Sequence, residues 1–223
     1  VLADTLWLGV LTTVASLLLG YPLAYHLALT RSRWKPLLIV FILSPLLVGI
    51  VIRCYGWMIL LADRGLINAT LVQHGWITTP LPLMYNKFGV TLALVHVFLP
   101  FMVLSLTGVL KRIEPQLIEA SQTLGASPRR AFFEVTLPLS LPGLAAGLLL
   151  CFVLAAGSYV TPLILGGNRD ALFGNLIFDT IMKELNWPMG ATLSMVLLVL
   201  LGLVAVIYSR TMGMWQIVKG LSR

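Results

Sequence analysis

Apolar residues in this chain come in long blocks separated by short polar intervals. Crossing about 30 Å of hydrocarbon takes roughly 20 helical residues. Five blocks are long enough: about Thr5 to Leu29, Pro36 to Leu61, Phe88 to Leu110, Leu139 to Leu165, and Met189 to Tyr208. The intervals differ in kind. "ADRGLINATLVQHGWITTPLPLMYNK" carries Trp76, Tyr85 and two prolines, and predicts a short helix near an interface followed by a proline-stiffened loop. "GGNRDALFGNLIFDTIMKELNWP" predicts an amphipathic helix from about Ala171 to Leu185. Leu172, Leu176, Ile177 and Ile181 mark its apolar side, and Trp187 suits the headgroup level.

One interval is unlike the rest. From Lys111 to Leu137 the chain is charged and punctuated by proline. Pro115 is a helix-start signal, because its missing N–H costs nothing in a first turn. Leu117, Ser121 and Leu124 fall on one helical stripe. Gly125 is placed to end that helix in a left-handed conformation. Ser127 can cap a second short helix with Pro128 at its first position. That helix carries Arg129, Arg130, Phe132, Phe133 and Val135, and Pro138 and Pro142 open the next apolar block. The pattern is two short amphipathic helices hinged at "LGASP", shaped either as a docking lever or as an interfacial helix pair lying on headgroups.

Composition fits a bilayer solvent. Of the 223 residues 59% are hydrophobic and 10% charged, with a mean hydropathy of +0.97. Typical soluble domains are about 25% charged. The net charge of +7 and pI near 9.8 would raise nucleic acid as a partner in a soluble protein. Here cytoplasmic loops rich in Lys and Arg explain them, and no nucleic-acid role is expected. Ten basic residues fall on one set of alternate connections (Arg31, Arg33, Lys35, Lys111, Arg112, Arg129, Arg130, Arg210, Lys219, Arg223) and four on the other (Arg64, Lys87, Arg169, Lys183). The richer side is cytoplasmic, so Val1 starts outside and Arg223 ends inside. That topology suggests one further span upstream, six in all. No cleavable signal peptide is visible, and Cys54 and Cys151 read as apolar packing residues in separate spans. No repeat, low-complexity tract or soluble domain interrupts the chain, which is treated as one transmembrane domain, 1–223, with the charged segment at about 111–138.

At these residues the chain resembles the membrane-spanning permease subunits of binding-protein-dependent ABC importers. Their signature is Glu-Ala-Ala, three residues, Gly, nine residues, Ile, one residue, Leu-Pro. Here it runs Glu119, Ala120, Ser121, then Gly125, then Val135, Leu137 and Pro138, with every spacing kept. Ser121 replaces the second Ala and Val135 the Ile. The likeness extends from about Leu6 to Tyr208 and is nearest the spermidine/putrescine branch, through "GYPLAYHLA", "GLIN", "PLPLMYN", "LPFMVLSL", "YVTPLILGG" and "NWPMGATLS". It implies an all-α type I importer permease fold with about five spans in this chain. It implies that Glu119, Ala120, Ser121, Gly125, Arg129 and Arg130 form the surface gripped by a cytoplasmic ABC ATPase dimer. A second permease subunit, of a related but different chain, and an extracytoplasmic solute-binding protein complete the implied importer, with a small solute such as a polyamine as cargo.

Single residues point to the path. Arg53 is the one basic residue inside a span; it either snorkels to the outer interface or lines a wet cavity, with Tyr55 and Trp57 beside it. His96 lies mid-span before Pro100, as a core histidine or a pathway group. Tyr159, Thr161 and Pro162 follow Gly157 and Ser158 and predict a break near the outer end of the fourth span, a gate or an ordinary kink. Asp170, Asp179 and Glu184 form an outer acidic set, facing solvent or a binding protein. His26, His74 and His96 lack metal-ligand spacing, and no cofactor or metal is expected. The chain lacks a GxxxxGK[ST] phosphate loop and any nucleophile–base pair, so it reads as a non-enzyme whose energy comes from a partner. A secondary transporter on an ion gradient is the alternative, but all eight acidic residues fall outside the five spans.

Overall fold

The computed structural model describes residues 1–30, 32–167 and 171–221, with side chains as far as Thr211. Arg31, Arg169, Asp170 and Arg223 lie outside the described residues. In chain order the elements are α1 (Leu2–Leu29), α2 (Lys35–Leu47), α3 (Ile50–Leu61), α4 (Leu66–Gln73), α5 (Lys87–Leu110), α6 (Pro115–Thr123), α7 (Pro128–Ala131), a π turn (Phe132–Thr136), α8 (Leu137–Ala156), α9 (Val160–Leu165), α10 (Phe173–Met182) and α11 (Trp187–Leu221). Among the described residues four helical stretches are long and apolar enough to cross a membrane: Leu2–Leu29, Lys87–Leu110, Pro128–Ala156 and Trp187–Thr211. A fifth is reached when Lys35–Leu47 and Ile50–Gln73 count as one broken span.

The breaks follow the prolines. The expected helix from Pro36 to Leu61 is interrupted because Val48 is extended (φ −95°, ψ 130°). Pro45, just before, cannot bond the Phe41 carbonyl. The Ser44 hydroxyl takes that carbonyl instead, at 2.8 Å, which satisfies it where lipid could not. The block from Leu139 to Leu165 is likewise two helices. The chain leaves helical geometry at Gly157–Tyr159, and Pro162 sits in the first turn of α9, where its missing N–H is harmless. The break therefore precedes Thr161–Pro162 rather than falling on it. Proline here starts a helix instead of kinking one.

Two compact sets of residues emerge. The first comprises Val1–Val10, Ile50–Ala93 and the chain from Val153 onward, and so holds the connections expected outside. Asn68, fully buried, is its clasp. Asn68 Nδ2 donates to the Ala62 and Leu81 carbonyls (3.2 and 2.9 Å), and Oδ1 accepts from the Leu81 amide (2.8 Å), pinning α4 to the proline loop. The Tyr85 amide donates to the Leu165 carbonyl at 3.0 Å. In α10 the buried face is Phe173, Asn175 and Thr180, next to buried Leu172, whereas Leu176 is exposed. Of the four residues that the pattern marked as apolar, Leu172 is buried, Ile177 and Ile181 are half-buried and Leu176 is exposed. Asn175 faces inward although polar: it donates to the Tyr159 carbonyl (2.9 Å) and accepts from the Leu172 amide (3.2 Å).

The second set comprises Leu11–Gly49 and Leu94–Phe152, with the two connections expected inside. Its core is Ala24, Leu27, Leu94, Phe98, Met102, Val103, Leu106, Leu110, Ala131 and Cys151. Helices α5 and α8 approach closely at Gly143. A Cβ there would lie 2.8 Å from Val109 Cγ2 and 2.9 Å from the Ser105 carbonyl oxygen, so only glycine permits the contact.

Candidate functional site

The charged interval forms an elbow built by local chemistry. Helix α5 tightens as it ends, through Lys111 N–H to Thr107 O (3.1 Å) and Arg112 N–H to Val109 O (2.9 Å). Glu114 is extended, and Pro115 opens α6. At the other end Gly125 takes φ +91°. The Gly125 amide bonds the Gln122 carbonyl at 2.9 Å and the Ala126 amide bonds the Ser121 carbonyl at 3.0 Å. That pair of bonds is a Schellman stop, which needs a left-handed residue at this place. Ser127 Oγ then accepts from the Arg130 amide at 3.3 Å, capping α7 behind Pro128.

Instead of forming a separate second helix, α7 passes through the π turn into α8 without a break, so Pro128–Ala156 is one continuous helical stretch. A proline ring crowds the carbonyl four residues before it. Pro138 would do so to Glu134, and the wider π turn, where the Leu137 amide reaches Phe132 O, relieves that crowding.

Glu119, Ala120, Gly125, Arg129 and Arg130 are all exposed, while Ser121 is half-buried and donates its hydroxyl to the Ile118 carbonyl at 2.7 Å. Leu124, at the hinge, is 89% exposed, and Phe133 is 64% exposed. Leu117 also points outward. The expected stripe of Leu117, Ser121 and Leu124 is therefore mostly the outer face, and Ile118 turns inward. Arg130 Nε pairs with Glu134 Oε1 at 2.7 Å across one turn, both exposed. The outer surface of the elbow thus carries the Glu119 carboxylate, a bare backbone corner at Gly125, the apolar tips of Leu124 and Phe133, and the guanidinium groups of Arg129 and Arg130.

The elbow's inner side was not legible as a site. Phe132 stands edge-on to Tyr21 and Tyr25 of α1, at 5.8 and 5.5 Å between ring centroids. The i, i+4 spacing of the two tyrosines in "GYPLAYHLA" is the one signal that could have found it.

Of the six residues named for the path, all but His96 fall in the first set. Arg53 is half-buried on α3 and Tyr55 is exposed beside it. Thr161 and Pro162 are buried on α9, where Thr161 Oγ1 accepts from Cys54 Sγ at 3.8 Å. Tyr159, half-exposed, stacks on Phe178 at 5.3 Å. His96 is half-buried on α5 and belongs to the second set of residues, whereas the others belong to the first. Asp179 pairs with Lys183 at 2.8 Å on the surface of α10.

Comparison with known proteins gives this arrangement its context. The family described as binding-protein-dependent transport system inner membrane component matches residues 13–212. The chain is 35% identical to the spermidine/putrescine transport system permease protein PotB of Escherichia coli K12, over 94% of this chain and 76% of that protein. It is 31% identical to the inner membrane ABC transporter permease protein YdcU of the same organism, over 91% of this chain and 68% of the other. It is also 31% identical to the molybdenum transport system permease protein ModB of Mycobacterium bovis, over 86% and 72%. Among solved structures, a bacterial ABC transporter that imports the acidic polysaccharide alginate superposes with a TM-score of 0.76 at 15% identity, over 94% of this chain and 78% of that one. The MetNI methionine ABC transporter, in an inward-facing form, does so with a TM-score of 0.69 at 21% identity, over 93% and 91%.

Proposed function

The chain belongs to the family of binding-protein-dependent transport system inner membrane components, and we propose that it works there as the polyamine-conducting permease subunit of an importer powered through its cytoplasmic elbow. It is a permease subunit of the inner membrane, with the all-α fold of ABC importer permeases. An ion-gradient mechanism is set aside by that membership. The polyamine solute is supported by the likeness to a permease named for spermidine and putrescine along 94% of this chain.

The observation that carries the mechanism is the capped, exposed elbow of α6 and α7, fused to α8 through the π turn. Short capped helices transmit force where loops would absorb it. An ABC ATPase dimer grips Glu119, Ala120, Ser121, Gly125, Arg129 and Arg130. Its closure on ATP pulls the elbow, and the pull reaches α8 directly along the backbone. ATP is hydrolysed on that partner. A second, related permease subunit completes the path, and a solute-binding protein delivers the cargo to the outer face. Arg53, Tyr55, His96, Tyr159, Thr161 and Pro162 are the residues assigned to the path or its gate.

Two measurements test this. Glu119→Ala, in a complex reconstituted with its ATPase and binding protein, is expected to insert normally yet import several-fold less solute per ATP hydrolysed. Unchanged coupling would remove the elbow from the mechanism. Spermidine or putrescine on the binding protein is expected to stimulate the complex's ATPase. Stimulation by molybdate and not by either polyamine would transfer the solute assignment to the chemistry of the molybdenum permease.

A further inference from the structure

The outer face of the elbow serves docking; its inner face holds a different device. Tyr21 and Tyr25 stand one turn apart on α1, and the Phe132 ring lies edge-on to both, at 87° in each case. Phe132 is also edge-to-face with Phe133 at 5.2 Å. The Tyr21 hydroxyl lies 2.9 Å from Ser140 Oγ on α8. Ser140 gives its own proton to the Leu137 carbonyl at 2.9 Å, so Tyr21 is the donor. One side of this cluster borders a void. A cavity of about 50 Å³ opens between Tyr25, Leu29, Leu110, Ile118 and Thr136. Thr136 Oγ1 is buried there with no hydrogen-bond partner.

Helix α8 is covalently continuous with the elbow, but α1 is not. Beside that cavity, the aromatic rings and the Tyr21–Ser140 bond link the elbow's inner end to α1. Edge-to-face contacts are directional, so they resist sliding better than aliphatic packing of the same area. We propose that Phe132, clasped by Tyr21 and Tyr25, is the joint that transfers movement of the elbow to α1, so that one stroke displaces α1 together with α8. Phe132, Tyr21 and Tyr25 are positioning residues, and the inference rests on the coupling role proposed above for the elbow.

The test uses the full complex, with ATPase, companion permease and binding protein, in proteoliposomes. It reads ATPase co-purification and solute imported per ATP hydrolysed. Phe132→Leu and Tyr25→Leu are expected to keep the ATPase bound while import per ATP falls by roughly fivefold or more, the size expected for losing one or two edge-to-face contacts. Tyr25→Phe keeps the ring and is expected to keep coupling. A second arm guards against a simple folding defect. The Tyr25→Cys/Phe132→Cys double variant is expected to be uncoupled when reduced and recoupled when a short bis-maleimide, adding one thiol to each of its double bonds, bridges the pair; Cys54 and Cys151 are buried. Coupling that stays low after bridging, or normal coupling in both leucine variants, overturns the joint. If Glu119→Ala is uncoupled while the leucine variants are normal, only the joint fails; if Glu119→Ala is itself normal, the elbow's role fails first.

Discussion

Gly125 allows the elbow to be tested by a single methyl group. Its φ of +91° lies in the left-handed region, and a Cβ built there meets nothing within 4 Å. Within this chain any effect of Gly125→Ala is therefore conformational, because the methyl meets none of the chain's own atoms. Forcing an L-residue into left-handed backbone costs about 1–2 kcal/mol, which shifts a local order–disorder balance by a factor of roughly 5–30. The bonds at stake are Ala126 N–H to Ser121 O and Gly125 N–H to Gln122 O. Hydrogen exchange of the 120–127 segment in the permease freed of its ATPase should accelerate by about that factor in the Ala variant. Asn tolerates left-handed backbone and should accelerate exchange less than Ala. Gly125→Pro should be worst, because its φ is fixed near −65° and it lacks the donor. Exchange in Gly125→Ala within about twofold of the parent, or Asn behaving worse than Ala, would refute the claim that backbone geometry at this corner holds the elbow together; the twofold margin is well below the ~1 kcal/mol expected.

Other perturbations follow from the same geometry. Gly143→Ala places a methyl 2.8 Å from Val109 and 2.9 Å from a backbone oxygen, and should lower stability by about 1–3 kcal/mol in a detergent thermal-unfolding assay. Asn68→Ala strips three hydrogen bonds from a fully buried residue; it should cost about 1–3 kcal/mol and open the 74–86 loop to protease. With an impermeant thiol reagent on intact cells, Trp76→Cys, 77% exposed in the wild type, should label and Arg129→Cys should not; the reverse would invert the topology. Arg130→Ala removes one exposed ion pair and should leave thermal stability unchanged, while weakening ATPase co-purification if the guanidinium belongs to the docking face.

What the sequence made legible was whatever local chemistry decides alone. Pro115, Gly125, Ser127 and Pro128 each act within a few residues, so the elbow's start, stop and cap could be read directly. The spaced Glu-Gly-Leu-Pro pattern made the family legible too. Breaks inside apolar blocks were harder, because hydropathy is uniform across Pro36–Leu61 and the Val48 break depends on Pro45 and on a Ser44 hydroxyl finding the freed carbonyl. On α10 the apolar residues could be read, apart from the exposed Leu176, but an inward Asn175 is unexpected until its partner, the Tyr159 carbonyl, is seen. The Tyr21–Tyr25–Phe132 cluster joins residues more than a hundred positions apart, and no periodicity along the chain encodes such a meeting. Asn68 belongs to a short helix predicted near an interface, and its complete burial is a tertiary fact.

The π turn at Phe132–Thr136 sets the compass bearing of everything before it. An ordinary α-helix advances each residue by 100° and about 1.5 Å, and this turn contains one residue more than that winding needs. Deleting a single residue here would let the helix close up normally, leave α8 where it is, and swing the elbow through about 100°. The docking face proposed for the elbow, so rotated, would present its carboxylate and apolar tips to the wrong quarter, although every residue of the motif remained. Length across these five positions is therefore a phase angle, and a family member that differs by one residue here would need an ATPase surface turned to match.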